Sequence, residues 1–125
     1  MNENDITGVI IDTSIQIHRT LGPGLLESVY EEILNYELIK KNLKFVRQVE
    51  IPLVYNDIKF STAFRADLVV ENKVIVEIKS TDKIEPVHCK QLLTYLKITQ
   101  IKVGLLINFN EALLKDGIKR IVNKF

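Results

Sequence analysis

The first forty residues place apolar side chains at helical spacing, and from Phe45 onward the period shortens to two. Ile6, Val9, Ile10, Ile17 and Leu21 fall at helical spacing, with Asn4 or Asp5 available to cap the helix start. The Gly-Pro-Gly of residues 22–24 disfavours continued helix and predicts a turn between two helices. It lacks the Gly-x-x-x-x-Gly-Lys spacing of a phosphate loop, so no phosphate is assigned to it. A second helix is predicted from about Leu25 to Asn42. Its apolar sector holds Leu26, Val29, Tyr30, Ile33, Leu34 and Tyr36, which leaves Glu31, Glu32 and Asn35 in solvent.

The alternating segments read as strands. "FVRQVEIPLVY" (45–55) is one strand, with Pro52 marking an edge or a bulge. A turn at Asn56-Asp57 leads into "IKFSTAFRADLVV", and Asn72 turns the chain into "KVIVEIKS". A third helix spans roughly Glu85 to Thr99, with Cys89, Leu92, Leu93 and Leu96 as its core stripe. "IKVGLLINF" (101–109) is a buried strand by its continuous apolar content. "GIKRIVNKF" (117–125) reads as an edge strand rather than a short helix. The order α-α-β-β-β-α-β-β predicts an α/β (α+β) protein with a mixed central sheet flanked by helices.

Composition narrows this picture. At 125 residues the chain has the size of one domain, covering 1–125, and its 46% hydrophobic and 26% charged content is that of a globular protein. A net charge of +1 gives no global pull toward nucleic acid or anionic membranes. Cys89 is the only cysteine, and with His18 and His88 it cannot fill a four-ligand zinc site. Neither a secretory leader nor a membrane-length apolar run is present, so a cytoplasmic location is expected.

The chemistry concentrates in "RADLVVENKVIVEIKS". Glu77 and Lys79 share one face of their strand, because side chains alternate. Asp67 joins them only if the loop around Asn72 has an odd number of residues; an even turn sends the two acids to opposite faces. Asn tolerates the left-handed backbone of a three-residue loop, which favours the odd one. Direct pairing would bring the carboxylates to about 5 Å, a repulsion of about 3 kcal/mol at an effective dielectric near 20. A shared proton, Lys79 or a divalent cation could each offset it. The competing reading is a plain salt-bridge cluster on a solvated sheet, and the hairpin alone does not choose between them.

Two further stretches bear on the choice. His88, Gln91 and Tyr95 form a polar-tipped stripe along one flank of the third helix, where solvated faces elsewhere carry Lys and Glu. Glu27 sits on the flank of the second helix's apolar face and on its own reads as a first-turn acid complementing the helix dipole. The series Asp67, "EIK" at 77–79 and "QLLTY" at 91–95 resembles the Asp…Glu-x-Lys…Gln-x-x-x-Tyr series of the RecB-like branch of the PD-(D/E)XK nuclease superfamily. "GLLESVY" (24–30) is similar to the signature of the GxxExxY protein family, as are "FRADLVV" and "QLLTYLK…KVGLLINF".

The resemblance implies a core of helix, three antiparallel strands, helix and strand. It implies that Asp67 and Glu77 bind Mg²⁺ or Mn²⁺, that Lys79 is the catalytic lysine, and that Glu27 helps hold the metal or its waters. Gln91, Tyr95 and Tyr30 would contact the substrate or order the site. The superfamily's Pro-Asp is Ala66-Asp67 here, which removes no ligand. His18 and His88 read as structural. The expected function is hydrolysis of DNA or RNA phosphodiester bonds. The alternatives are a non-catalytic module that binds nucleic acid or a protein partner, and a homodimer paired through an exposed sheet edge.

Overall fold

The computed structural model describes residues 1–124, so Phe125, the end of the last predicted strand, lies outside the described residues. Helix α1 (Glu3–Leu21) begins two or three residues earlier than expected. Asn2 is the cap, its side chain accepting from the Asp5 amide at 2.8 Å while Asp5 accepts from the Asn2 amide at 3.3 Å. Neither expected cap serves: Asp5 is the reciprocal partner in this box, and Asn4 accepts instead from Arg120 at 2.7 Å. Gly22 and Gly24 then take φ of 73° and 101°, the left-handed region that makes glycine the residue for this corner.

Helix α2 (Glu27–Lys40) buries Tyr30, Glu31, Leu34, Asn35 and Leu38. Leu26 and Tyr36, expected inside, are 73% and 62% exposed, whereas Glu31 and Asn35, expected outside, are buried. The helix is rolled because Glu31 finds cationic and amide partners on the first strand, which offset the cost of burying it.

Five strands follow the expected order: β1 (Phe45–Tyr55), β2 (Ile58–Val70), β3 (Val74–Lys79), β4 (Val103–Asn108) and β5 (Ile118–Val122). Helix α3 (Pro86–Thr99) crosses over between β3 and β4, and a 3₁₀ turn (Leu114–Gly117) precedes β5. The sheet order is β1-β2-β3-β4-β5, with β3 and β4 parallel and every other pair antiparallel. β1 is an edge strand and its register shifts between Ile51 and Leu53, so Pro52 stands at both an edge and an irregularity. Among the described residues no helix is long and apolar enough to cross a membrane.

Each face of the sheet has its own core. Leu68, Val70, Val76, Ile78, Leu105 and Ile107 pack with α1 and α2. Ala66, Val69, Ile75 and Leu106 pack with Leu92 and Leu96 of α3. Gly104 makes that second contact close, because a Cβ there would stand 2.9 Å from the Leu92 side chain. Cys89 and Leu93, expected in the α3 core stripe, are half-buried.

Candidate active site

The β2–β3 turn is a three-residue loop, Glu71 to Lys73, closing the pair Val70↔Val74. Glu71 and Asn72 both take positive φ, at 53° and 55°. The ladder continues through Val69↔Ile75 to Leu68↔Val76, which brings Asp67 opposite Glu77. There the ladder stops, and Asp67 Oδ2 accepts the Ile78 N–H at 2.8 Å in place of a backbone acceptor. The acid lies at the point where β2 leaves β3, and its side chain completes the hydrogen bonding that the departing backbone no longer supplies.

The alternation of β2 also reverses at this point. Phe64 and Ala66 belong to the α3 core, whereas Leu68 and Val70, at the same parity, belong to the α1/α2 core. Across the ladder, Arg47↔Leu68 and Val49↔Ala66 set Gln48 opposite Asp67, and Gln48 has φ of 48°. Asp67 therefore sits on a local kink shared by two strands.

Glu77 is only 8% exposed, and its Oε1 has no hydrogen-bond partner among the described residues. Burial pushes its carboxyl up to about 9, reinforced by the Asp67 charge and by hydrogen bonding with Asp67; Lys79 opposes the shift. With no cation present, Glu77 is therefore protonated at neutral pH, and the proton is what offsets the repulsion between the paired acids. Tyr95, stacked on Phe64 at 3.8 Å between ring centroids, has its phenol raised by burial and then by the Glu77 charge.

Glu27, Asp67, Glu77, Lys79, Gln91 and Tyr95 line one cavity of about 220 Å³. Local contacts account for their placement. Ser80 Oγ donates to the Leu25 carbonyl at 2.7 Å, tying the end of β3 to the corner that presents Glu27. The Lys79 carbonyl accepts from the Phe109 N–H at 2.9 Å, and Asn108, fully buried, clamps the backbone of Thr81 through both side-chain atoms. Gln91 is exposed at the rim.

Tyr30 orders the site from inside the core and does not line the cavity. It is fully buried and stacked on Phe109 at 4.4 Å. Its hydroxyl donates to the Gly22 carbonyl at 2.6 Å and accepts from the Leu25 N–H at 3.2 Å. Both bonds staple the Gly-Pro-Gly corner, so Tyr30 holds the loop before Glu27 and is itself fully buried. The histidines are structurally placed: His18 bonds the Glu111 carbonyl at 2.8 Å, and His88 Nδ1 accepts from the Glu85 N–H at the start of α3. His88 also lines the cavity, as does Arg65, an exposed cation in "FRADLVV" that residue-level reading passed over.

Among the described residues no three His, Cys, Asp or Glu side chains come close enough together to enclose a metal ion. Glu27, Asp67 and Glu77 therefore share a cavity without forming a three-carboxylate cage. The donors still suit a hard cation: two neighbouring carboxylates, one with a buried oxygen left unpaired. Magnesium commonly takes one or two protein carboxylates and keeps its waters. Glu27 lines the same cavity.

A three-stranded antiparallel unit joined through a crossover helix to a parallel strand, with an Asp-Glu-Lys cavity at the open end of β3, defines a nuclease-like α/β protein. The family model described as the PD-(D/E)XK nuclease superfamily matches residues 4–121, and the chain belongs to that superfamily. No curated protein matches the chain. Membership supports a nuclease-like function on nucleic acid and, as is general in the superfamily, the use of divalent metals.

Proposed function

We propose that this chain is a magnesium- or manganese-dependent nuclease of the GxxExxY type, in the RecB-like branch, hydrolysing phosphodiester bonds of DNA or RNA in the cytoplasm. The observation that carries the reading is the buried, unpaired Glu77 oxygen beside Asp67, in a cavity that also holds Lys79, Gln91 and Tyr95. A strongly shifted buried acid beside a second carboxylate in a cleft is the pattern of a functional site.

Asp67 and Glu77 would hold the cation, with Glu27 reaching its waters across the cavity. A divalent ion bound there supplies a more acidic water and offsets charge on the phosphate. Glu77 would give up its proton to solvent to serve as a ligand, and the neighbouring Lys79 charge favours the ionised form. Lys79, lining the same cavity, would offset the charge that develops on the phosphate. Gln91 offers an amide at the rim, Tyr95 a neutral phenol donor, and Arg65 a cation for the nucleic-acid backbone.

Incubating single- and double-stranded DNA and RNA with Mn²⁺ tests this reading. Cleavage should appear with at least one substrate and fall by about 100-fold or more in Asp67→Ala and Lys79→Ala, the scale seen when one stabilising group is removed. Cation binding without cleavage across the panel would instead make the chain a nuclease-like binding module.

A further inference from the structure

Gln48 holds an unfavourable conformation inside β1. Its φ of 48° lies in the left-handed region that side chains other than glycine, Asn and Asp seldom enter. Gln48 is the fourth residue of β1, away from any turn, and nothing in local sequence demands this conformation. Its Nε2 donates to Glu31 Oε1 at 2.8 Å and reaches Asp67 Oδ1 at a longer 3.4 Å. Both neighbours are carboxylates and accept only, so they determine which way the amide points.

Glu31 is itself held. It is 6% exposed and accepts from Arg47 Nε at 3.2 Å and Nη2 at 3.0 Å, while Arg47 also bonds Glu32 at 2.6 Å. A buried carboxylate on α2 and a left-handed residue in β1 are each costly alone. They converge on one amide, whose two hydrogens serve Glu31 and Asp67. A simple pin between α2 and β1 would need only Glu31 and Arg47, and would leave Gln48 free to stay extended.

We propose that Gln48 is a positioning residue: anchored by Glu31 and Arg47, its amide fixes the Asp67 carboxylate in the orientation that meets a divalent cation. This rests on the metal-dependent reading above. Asp67 Oδ2 is tied to the Ile78 N–H and Oδ1 to Gln48, so the carboxylate plane is held at both oxygens. Removing Gln48 leaves a single pivot. Groups that orient a metal ligand in this way typically change metal affinity or activity by about 10–100-fold.

Two readouts test the proposal, one of them independent of metal. Gln48→Gly removes the amide and relieves the backbone strain, and Gln48→Asn keeps a left-handed preference with an amide too short to span both acids. Both variants should fold, by circular dichroism, and bind Mn²⁺ at least about tenfold more weakly by calorimetric titration. Without metal, amide hydrogen exchange should quicken at Ile78, whose N–H depends on Asp67, and remain unchanged at Val76. If both Gln48 variants bind Mn²⁺ like the wild type and keep Ile78 protected, the proposal is overturned. If the wild type binds no Mn²⁺, the metal reading fails instead, and Ile78 exchange still decides whether Gln48 positions Asp67.

Discussion

At the scale of single residues, Glu77 is where the energetics are sharpest. An acid raised from 4.5 to about 9 binds its proton more tightly in the folded chain than in the unfolded one. Below the lower value both states are protonated. Between the two values only the folded state keeps the proton, so stability falls as pH rises, with a slope of up to about 1.4 kcal/mol per pH unit. Above the upper value the loss is complete. Glu77→Gln keeps the shape of the protonated acid and removes its titration. In metal-free buffer, urea denaturation across this window should show Glu77→Gln gaining stability on the wild type as pH rises. Parallel curves for the two proteins would contradict the assignment. Tyr30 gives the complementary lesson: a phenol beside the site serves the backbone of a loop, because its hydroxyl is engaged by Gly22 and Leu25.

At the scale of elements, α3 and the β3–β4 pair hold the cavity closed on one side. Leu92 lies against Gly104, where a methyl group would approach its side chain to 2.9 Å. Gly104→Ala should push α3 outward and cost about 1–3 kcal/mol, the usual range for overfilling a packed interface; chemical denaturation measures it. Because Gln91 and Tyr95 ride on α3 and line the cavity, the same substitution should weaken nucleic-acid binding more than the binding of Mn²⁺ by Asp67 and Glu77. The hairpin was legible at this scale. Asn72 signalled an odd loop, and the odd loop aligns Asp67 with Glu77. The face of α2 was not, because hydrophobicity alone sends Glu31 to solvent while a partner more than a dozen residues away brings it inside.

At the scale of the whole molecule, metal, proton and fold are linked. On the metal-dependent reading, a cation held by Glu77 would displace its proton, so binding would strengthen as pH rises toward about 9 and release a proton to solvent. Mn²⁺ should therefore raise Tm more in alkaline than in acidic buffer. The stabilisation at a hundredfold excess over Kd is about 2.7 kcal/mol, reversed by a chelator and absent in Asp67→Ala. Differential scanning calorimetry at two pH values checks it.

The sequence by itself determined the order of the elements, the odd hairpin, and the types of side chain gathered for chemistry. Those follow from periodicity and from turn residues, which are local properties of the chain. Tertiary structure alone decided which acids are buried, that β2 reverses its alternation at Asp67, and that Gln48 turns left-handed opposite it. Each depends on a partner from a distant segment. Burial energy and hydrogen bonding act between groups brought together by the fold, and the spacing of residues along one strand or helix does not contain them.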